Sequence, residues 1–203
     1  MNAQGRPTRP RGDERRRQIL DVALQLFAER GFTDVSVADV AGEVGITTAG
    51  LLHHFGTKNA LLIAVLQERE TRNGQVDESL RAEGKDWLET FVGRLEQNED
   101  HPALVQLFAL LSAESITRDH PGHDWFVERY RALAETSSHE MDRLLDPAKL
   151  PQGVTATTVS QWLVGLADGL RLQQLLNPGS VDRIESVRAF VGMLEQYRRD
   201  DPA

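Results

Sequence analysis

Thr47, Thr48, Ala49, Gly50, His53 and His54 lie within eight consecutive positions, and Lys58 follows four places later. Hydroxyls and imidazoles donate and accept hydrogen bonds, and the small side chains at 49 and 50 leave room for a helix backbone to approach a surface closely. That combination suits the floor and walls of a DNA major groove, where base edges and phosphates offer both kinds of partner. Ile46, Leu51, Leu52 and Phe55 interleave with the polar residues and can anchor the same helix from below. Metal chemistry fits poorly. Adjacent histidines on a helix point about 100° apart, so His53 and His54 cannot converge on one ion as an i, i+4 pair does, and His54 also fits plain packing against a core. The chain has no cysteine, no HExxH, no phosphate-cradling glycine loop and no nucleophile elbow. No metal, cofactor or catalytic residue is expected, and an α-helical enzyme is the weakest of the readings.

A groove reader needs a support helix and a tight turn. Ser36 reads as the N-cap of a short helix carrying Val37, Val40, Ala41 and Val44 on one face, and Gly45 ends it. Thr47 then opens the helix over 48–55, which makes a helix-turn-helix, a pattern that ordinary helical bundles also contain. Ahead of it, Ile19, Val22, Ala23, Leu26 and Phe27 recur at helical spacing from Asp13 to Arg30, closed by Gly31. Behind it, Thr57 caps a long helix to about Leu80, softest at Asn73-Gly74. Further helical patterns carry Trp87 to Leu95, Leu104 to Leu111, Trp125 to Leu145, 154–176 and 181–198. No run alternates like a strand. The expected fold is all-α, about nine helices without internal repeats: a flexible basic arm at 1–12, a three-helix DNA-binding unit at 13–56, and a helical ligand-binding and dimerisation bundle at 57–203.

Charge is divided along the chain. Residues 1–17 hold six arginines against Asp13 and Glu14, a net +4 in a chain of −8. Binding phosphates requires positive potential, so Arg15, Arg16 and Arg17 are expected at the DNA backbone and Arg6 to Arg11 in a flanking minor groove; a solvated tail is the bland alternative. The remaining acidic body repels the duplex or simply keeps the protein in solution. No secretory signal and no apolar stretch of bilayer length is present, and with no cysteine this reads as a cytoplasmic protein without a membrane partner.

The run SVADVAGEVGITTAGLLHHFGTKNALLIAV at 36–65, preceded by RRRQILDVALQLFAERGF at 15–32, resembles the DNA-binding signature of TetR-family regulators. The resemblance implies that Ser36, Thr47, Thr48, His53 and His54 belong to the operator-contacting set, that Ala49 and Gly50 face the groove, and that Lys58 grips a phosphate. Two positions depart from the family pattern. Leu52 stands where a tyrosine is very common, and Gly50 where a threonine is common, so two hydroxyls are missing.

Outside that stretch the resemblance weakens, and it implies a ligand pocket and a dimer interface without naming their residues. Trp87, Phe91, Phe108, Trp125, Trp162 and Asp168 are the pocket candidates, each also readable as core. Among other polar residues, Glu114 and His101 are considered, while His120 and His123, flanking Pro121-Gly122, read as exposed loop residues. Asp168 could alternatively pair with Arg171. In the family the last two helices pair with their symmetry mates, which puts Trp162, Leu166, Leu170, Val187, Phe190, Val191 and Leu194 at the dimer interface. The expected function is a homodimeric repressor released from a palindromic double-stranded DNA operator by a small molecule of unknown identity. An activator, or a ligand-binding or partner-binding bundle with a weakened DNA head, is the alternative.

Overall fold

The computed structural model describes residues 10–200 and is all-helical, with no strand among the described residues. The helices are α1 (Pro10–Asp34), α2 (Val37–Val44), α3 (Thr48–Phe55), α4 (Lys58–Ala82), α5 (Trp87–Glu99), α6 (Pro102–Glu114), α7 (His123–Leu144), α8 (Ala156–Leu176) and α9 (Arg183–Leu194), followed by a 3-10 turn at Glu195–Tyr197. Residues 1–9 of the expected arm, with Arg6 and Arg9, lie outside the described residues; its last three, 10–12, already belong to α1.

Side-chain caps start most of these helices where the sequence places them. Ser36 and Asp39 form a reciprocal capping box on α2, as Asp86 and Glu89 do on α5. Thr47, Thr57, Thr155 and Asp182 accept first-turn amides of α3, α4, α8 and α9. Gly31 breaks α1 with φ 78° and ψ 164°, and Gly45 closes α2 at φ 74°, both in the half of backbone space that disfavours side chains. The expected softness at Asn73-Gly74 does not interrupt α4. Asn73 is buried there, in a stripe running Leu62, Leu66, Arg69, Asn73, Asp77 and Leu80, so tertiary packing overrides local propensity.

Two apolar cores hold the molecule. One joins α1 to α4 with Leu107, Phe108, Leu111 and Phe126 from α6 and α7, so the core under the helix-turn-helix continues past residue 56. The other packs α5, the end of α7, α8 and α9. His120 and His123 depart from expectation: both are half-buried rather than exposed. The ring of His120 meets Phe32 edge-on at 5.5 Å, and His123 Nδ1 lies 2.8 Å from the Ser115 carbonyl oxygen.

Candidate nucleic-acid interface and ligand cavity

Leu51 and Phe55 fasten α3 to the head core, while Thr47, Thr48, Ala49 and His53 are exposed on its outer side and Gly50 and His54 are half-buried. The Thr47 hydroxyl accepts the Gly50 amide at 3.0 Å. A Cβ at residue 50 would lie 3.2 Å from that hydroxyl, so glycine at this position spares the cap from crowding. The first-turn amides of Thr48 and Ala49 have no intrahelical partner by construction and project outward from the N-terminal end of α3. Arg15, Arg16 and Arg17 are exposed, and the Arg16 guanidinium lies 5.1 Å from the Phe55 ring at the end of α3.

Two expected DNA contacts are otherwise engaged. Ser36 spends its hydroxyl proton and its amide on Asp39, at 2.6 and 2.7 Å, so its work is to build α2. These bonds hold the Asp39 carboxyl below its ordinary range. Lys58 turns its ammonium inward, 4.2 Å from the centre of the Phe32 ring and donating to the Thr33 carbonyl at 3.2 Å. Burial lowers its pKa, opposed by Asp34, Asp39 and Glu114.

The body contains an open cleft of about 470 Å³ between α4, α5 and α7, lined by Trp87, Trp125, Leu133, Glu70, Asp77, Arg94 and Arg129 among others. Arg94, Arg129 and Leu133 also line a smaller, more enclosed chamber of about 40 Å³, together with Phe91, Phe108, Asp168, Arg69, Arg171 and Arg183. Five of the six pocket candidates therefore border these two neighbouring spaces, which share Arg94, Arg129 and Leu133 as walls. Trp162 does not: it is 50% exposed on the outer side of α8, in an apolar groove with Pro151, Phe190, Met193 and Tyr197. The turn of α8 that directs Leu163 and Ala167 inward directs residue 162 out.

Of the chamber's arginines, the sequence singles out Arg171 alone, as a partner for Asp168. Arg69, Arg129 and Arg171 place their guanidiniums 3.9, 4.7 and 4.9 Å from the Phe108 ring. Glu70 bonds Arg69 at 2.5 Å and Arg129 at 3.1 Å, Arg94 bonds Asp77 at 2.7 Å, and Arg171 bonds Asp168 at 3.0 Å. Asp168 also accepts the Tyr130 hydroxyl at 2.7 Å, so it is both a cavity residue and half of an ion pair. Arg183 pairs with Glu99. Burial pushes Arg69 down to about 9, Arg129 adds to the shift, and Glu70 resists it. Burial also raises Asp77 and lowers Arg94 despite their contact, the expected cost of desolvating an ion pair. The available signal was register. Arg69 continues the apolar stripe of α4, Arg94 follows Phe91 by three, Arg171 follows Ala167 by four, and Arg183 precedes Val187 by four, each in a core-facing place.

Among the expected dimer-interface residues, Val187 is completely buried within its own chain and Leu194 is 4% exposed, because both face α5 and α8 across the second core. They are corrected to interior residues. Leu166, Leu170, Phe190 and Val191 are half-buried beside Trp162, and exposed Leu172, Leu176 and Met193 extend the same apolar side of α8 and α9. Among the described residues no three side chains are placed to hold a metal ion, and no helix is long and apolar enough to cross a membrane.

A helix-turn-helix head with an outward polar reading face, continuous with a helical body that contains a cavity, defines a DNA-binding regulator. Residues 19–65 match the family model for bacterial regulatory proteins, tetR family. That stretch, from α1 into α4, is thus a TetR-type DNA-binding domain. It is 25% identical over 204 residues to the HTH-type transcriptional regulator AcrR of Shigella flexneri, covering 95% of this chain and 93% of that one. It is 32% identical over 129 residues to the HTH-type transcriptional repressor KstR2 of Rhodococcus jostii, a match spanning 61% of this chain and 58% of the relative. A putative transcriptional regulator from Saccharomonospora viridis, solved in complex with choline, shares the fold at a TM-score of 0.72 and 20% identity, over 93% of this chain and 100% of that one.

Proposed function

We propose that this regulator is a cytoplasmic homodimeric repressor that binds a palindromic operator through residues 13–56 and is released when a small molecule enters the body formed by residues 57–203. The observation that carries the reading is the outward face of α3: Thr47, Thr48, Ala49 and His53 are exposed while Leu51 and Phe55 hold the helix to the core. One such helix reads few base pairs, so two heads related by a two-fold axis are needed to specify an operator. The relative KstR2 is named a repressor, and the Saccharomonospora viridis protein holds a small molecule, which supports the two halves of the reading separately.

Release has a physical route. Helix α4 carries Lys58 against Phe32 of the head at one end, and Arg69, Glu70 and Asp77 at the cavity further along. The head is also tied to the body by Arg72 to Asp21 at 2.9 Å and by Gln106 donating to the Ala28 carbonyl at 2.9 Å. A ligand that re-pairs the charges on α4 shifts this helix relative to α1, and with it the spacing of two heads; its leverage equals its differential affinity for the two arrangements.

The test is selection of bound sequences from a random duplex library with the full chain, then titration of the recovered DNA. A two-fold symmetric site whose affinity falls on replacing Thr48 or His53 with alanine is expected. Recovery of no sequence preference, or wild-type affinity in both variants, overturns the reading.

A further inference from the structure

The chamber beside Phe108 is unusual in the sign of its walls. Arg69, Arg94, Arg129, Arg171 and Arg183 face it from four helices of the body and from α9, and Asp168 is its one acidic lining residue. The other carboxylates that balance these arginines sit behind them: Glu70 and Asp77 border the outer cleft, and Glu99 holds Arg183. Each guanidinium has five N–H donors, and few find acceptors. Arg69 Nε, Arg171 Nε and Arg183 Nε are buried without any hydrogen-bond partner. Three guanidiniums crowd one phenyl ring, at distances where they repel one another. Buried donors left unmet are costly, so negative charge and acceptor lone pairs are what this chamber lacks.

We propose that the chamber is an anion subsite, and that the effector carries a carboxylate head that enters it between Arg94 and Arg129 while an apolar body stays in the cleft against Trp87, Trp125 and Leu133. The inference rests on the ligand-released reading above for its consequence at DNA, but not for the binding itself. Size selects the carboxylate. A space of about 40 Å³ admits a group of one or two water volumes, and a planar two-oxygen head matches the fork of a guanidinium. The outer cleft supplies mixed charge and two indoles, a surface for a flat or chain-like apolar body.

The experiment uses the full-length chain and the quenching of its tryptophan emission, since Trp87 and Trp125 both line the cleft. The probes are phenylacetate, 4-phenylbutyrate, 2-naphthylacetate and octanoate, each titrated beside its primary amide and its amine at constant ionic strength. At least one carboxylate is expected to bind, and to bind on the order of tenfold or more tighter than its amide, the worth of a charge-assisted hydrogen bond. Arg129→Gln and, separately, Arg171→Gln are expected to erase that preference. Each leaves its former carboxylate another partner, Arg69 for Glu70 and Tyr130 for Asp168, so that folding is retained; thermal unfolding of both variants checks this. Binding of amides or amines equal to or tighter than the carboxylates overturns the proposal, as does absence of binding by every carboxylate at millimolar concentration or a preference that survives in both folded variants. Operator titration separates the two ideas. Release of DNA by an amine or amide, with carboxylates inert, removes the anion subsite and keeps ligand release; tight carboxylate binding without loss of operator affinity does the reverse.

Discussion

Single residues of the head divide into those that build the reading surface and those that present it. Ser36 and Thr48 are a matched pair for this distinction, both hydroxylated, both exposed, twelve positions apart. The Ser36 hydroxyl accepts the Asp39 amide and donates to its carboxylate, whereas no side-chain bond engages Thr48. Ser36→Ala is therefore expected to lower stability by about 1 kcal/mol, the usual worth of such a cap, seen as a lower thermal midpoint with weaker DNA binding as a consequence. Thr48→Ala is expected to leave the midpoint within about 0.5 kcal/mol of wild type and to weaken operator binding about fivefold, one neutral hydrogen bond. Circular dichroism melts and fluorescence anisotropy on the same two variants distinguish the roles; equal loss of stability in both refutes the division. Lys58 belongs with the builders in this arrangement, because its ammonium rests on Phe32 and the Thr33 carbonyl.

Elements meet at a junction that only three-dimensional packing reveals. The turn between α6 and α7 brings His120 to Phe32 of α1, and Glu114 to Gly31, where a Cβ would come within 3.2 Å of its carboxylate. His120 Nδ1 accepts the Gly122 amide at 3.1 Å, so its proton resides on Nε2, which faces Glu114 at 3.5 Å. Burial lowers the pKa of this imidazole, and Glu114 only partly restores it; the accepted amide bond also favours the neutral ring over the ion-paired one. The sign follows. As pH falls below the unfolded value of about 6.5, the unfolded chain takes up a proton that the folded ring resists, so the contribution is intact above that value and declines beneath it. Between pH 7.5 and 5.5 the thermal midpoint of wild type is expected to drop by more than that of His120→Asn, whose amide oxygen can still accept from Gly122; identical slopes refute the assignment. The same turn shows what periodicity conveys and what it omits. Helix positions, caps and the reading face of α3 were legible because each depends on neighbours within four residues. Pro121-Gly122 correctly marked a turn, but the contact that buries His120 comes from Phe32, far away in the chain. The arginines of the chamber were legible in principle, since Arg69 and Arg171 occupy core-facing registers, yet only the assembled helices bring the five side chains to one place.

At the scale of the whole molecule, basic and acidic regions and two apolar surfaces have to be accommodated together. The arginines at 15–17 are exposed near the α3 end of the head, while the rest of the chain is acidic, so operator binding is expected to weaken steeply with salt. Replacing all three with alanine is expected to flatten the slope of log affinity against log salt and to weaken binding to every duplex alike; an unchanged slope sinks the role of these residues. The exposed side of α8 and α9 makes the second demand. Trp162, Leu172, Leu176 and Met193 are 50%, 54%, 77% and 57% exposed and run beside half-buried Leu166, Leu170, Phe190 and Val191. Gly165 and Gly169 lie on the same helix with open space where a Cβ would stand, so a second helix can approach closely. Exposed large apolar side chains gathered on two helices are costly in water and are relieved by a partner, and a second copy brings the second head that a palindrome requires. Leu172→Glu is thus expected to shift the chain from dimer to monomer in sedimentation at micromolar concentration and to abolish tight binding to the two-fold site, with its helical content retained. Val187→Ala provides the contrast, because that side chain is sealed inside one chain: it is expected to cost about 2 kcal/mol of stability by leaving a cavity and to sediment as the wild type does. Dissociation by the interior change but not by the surface one would place the interface elsewhere than on α8 and α9.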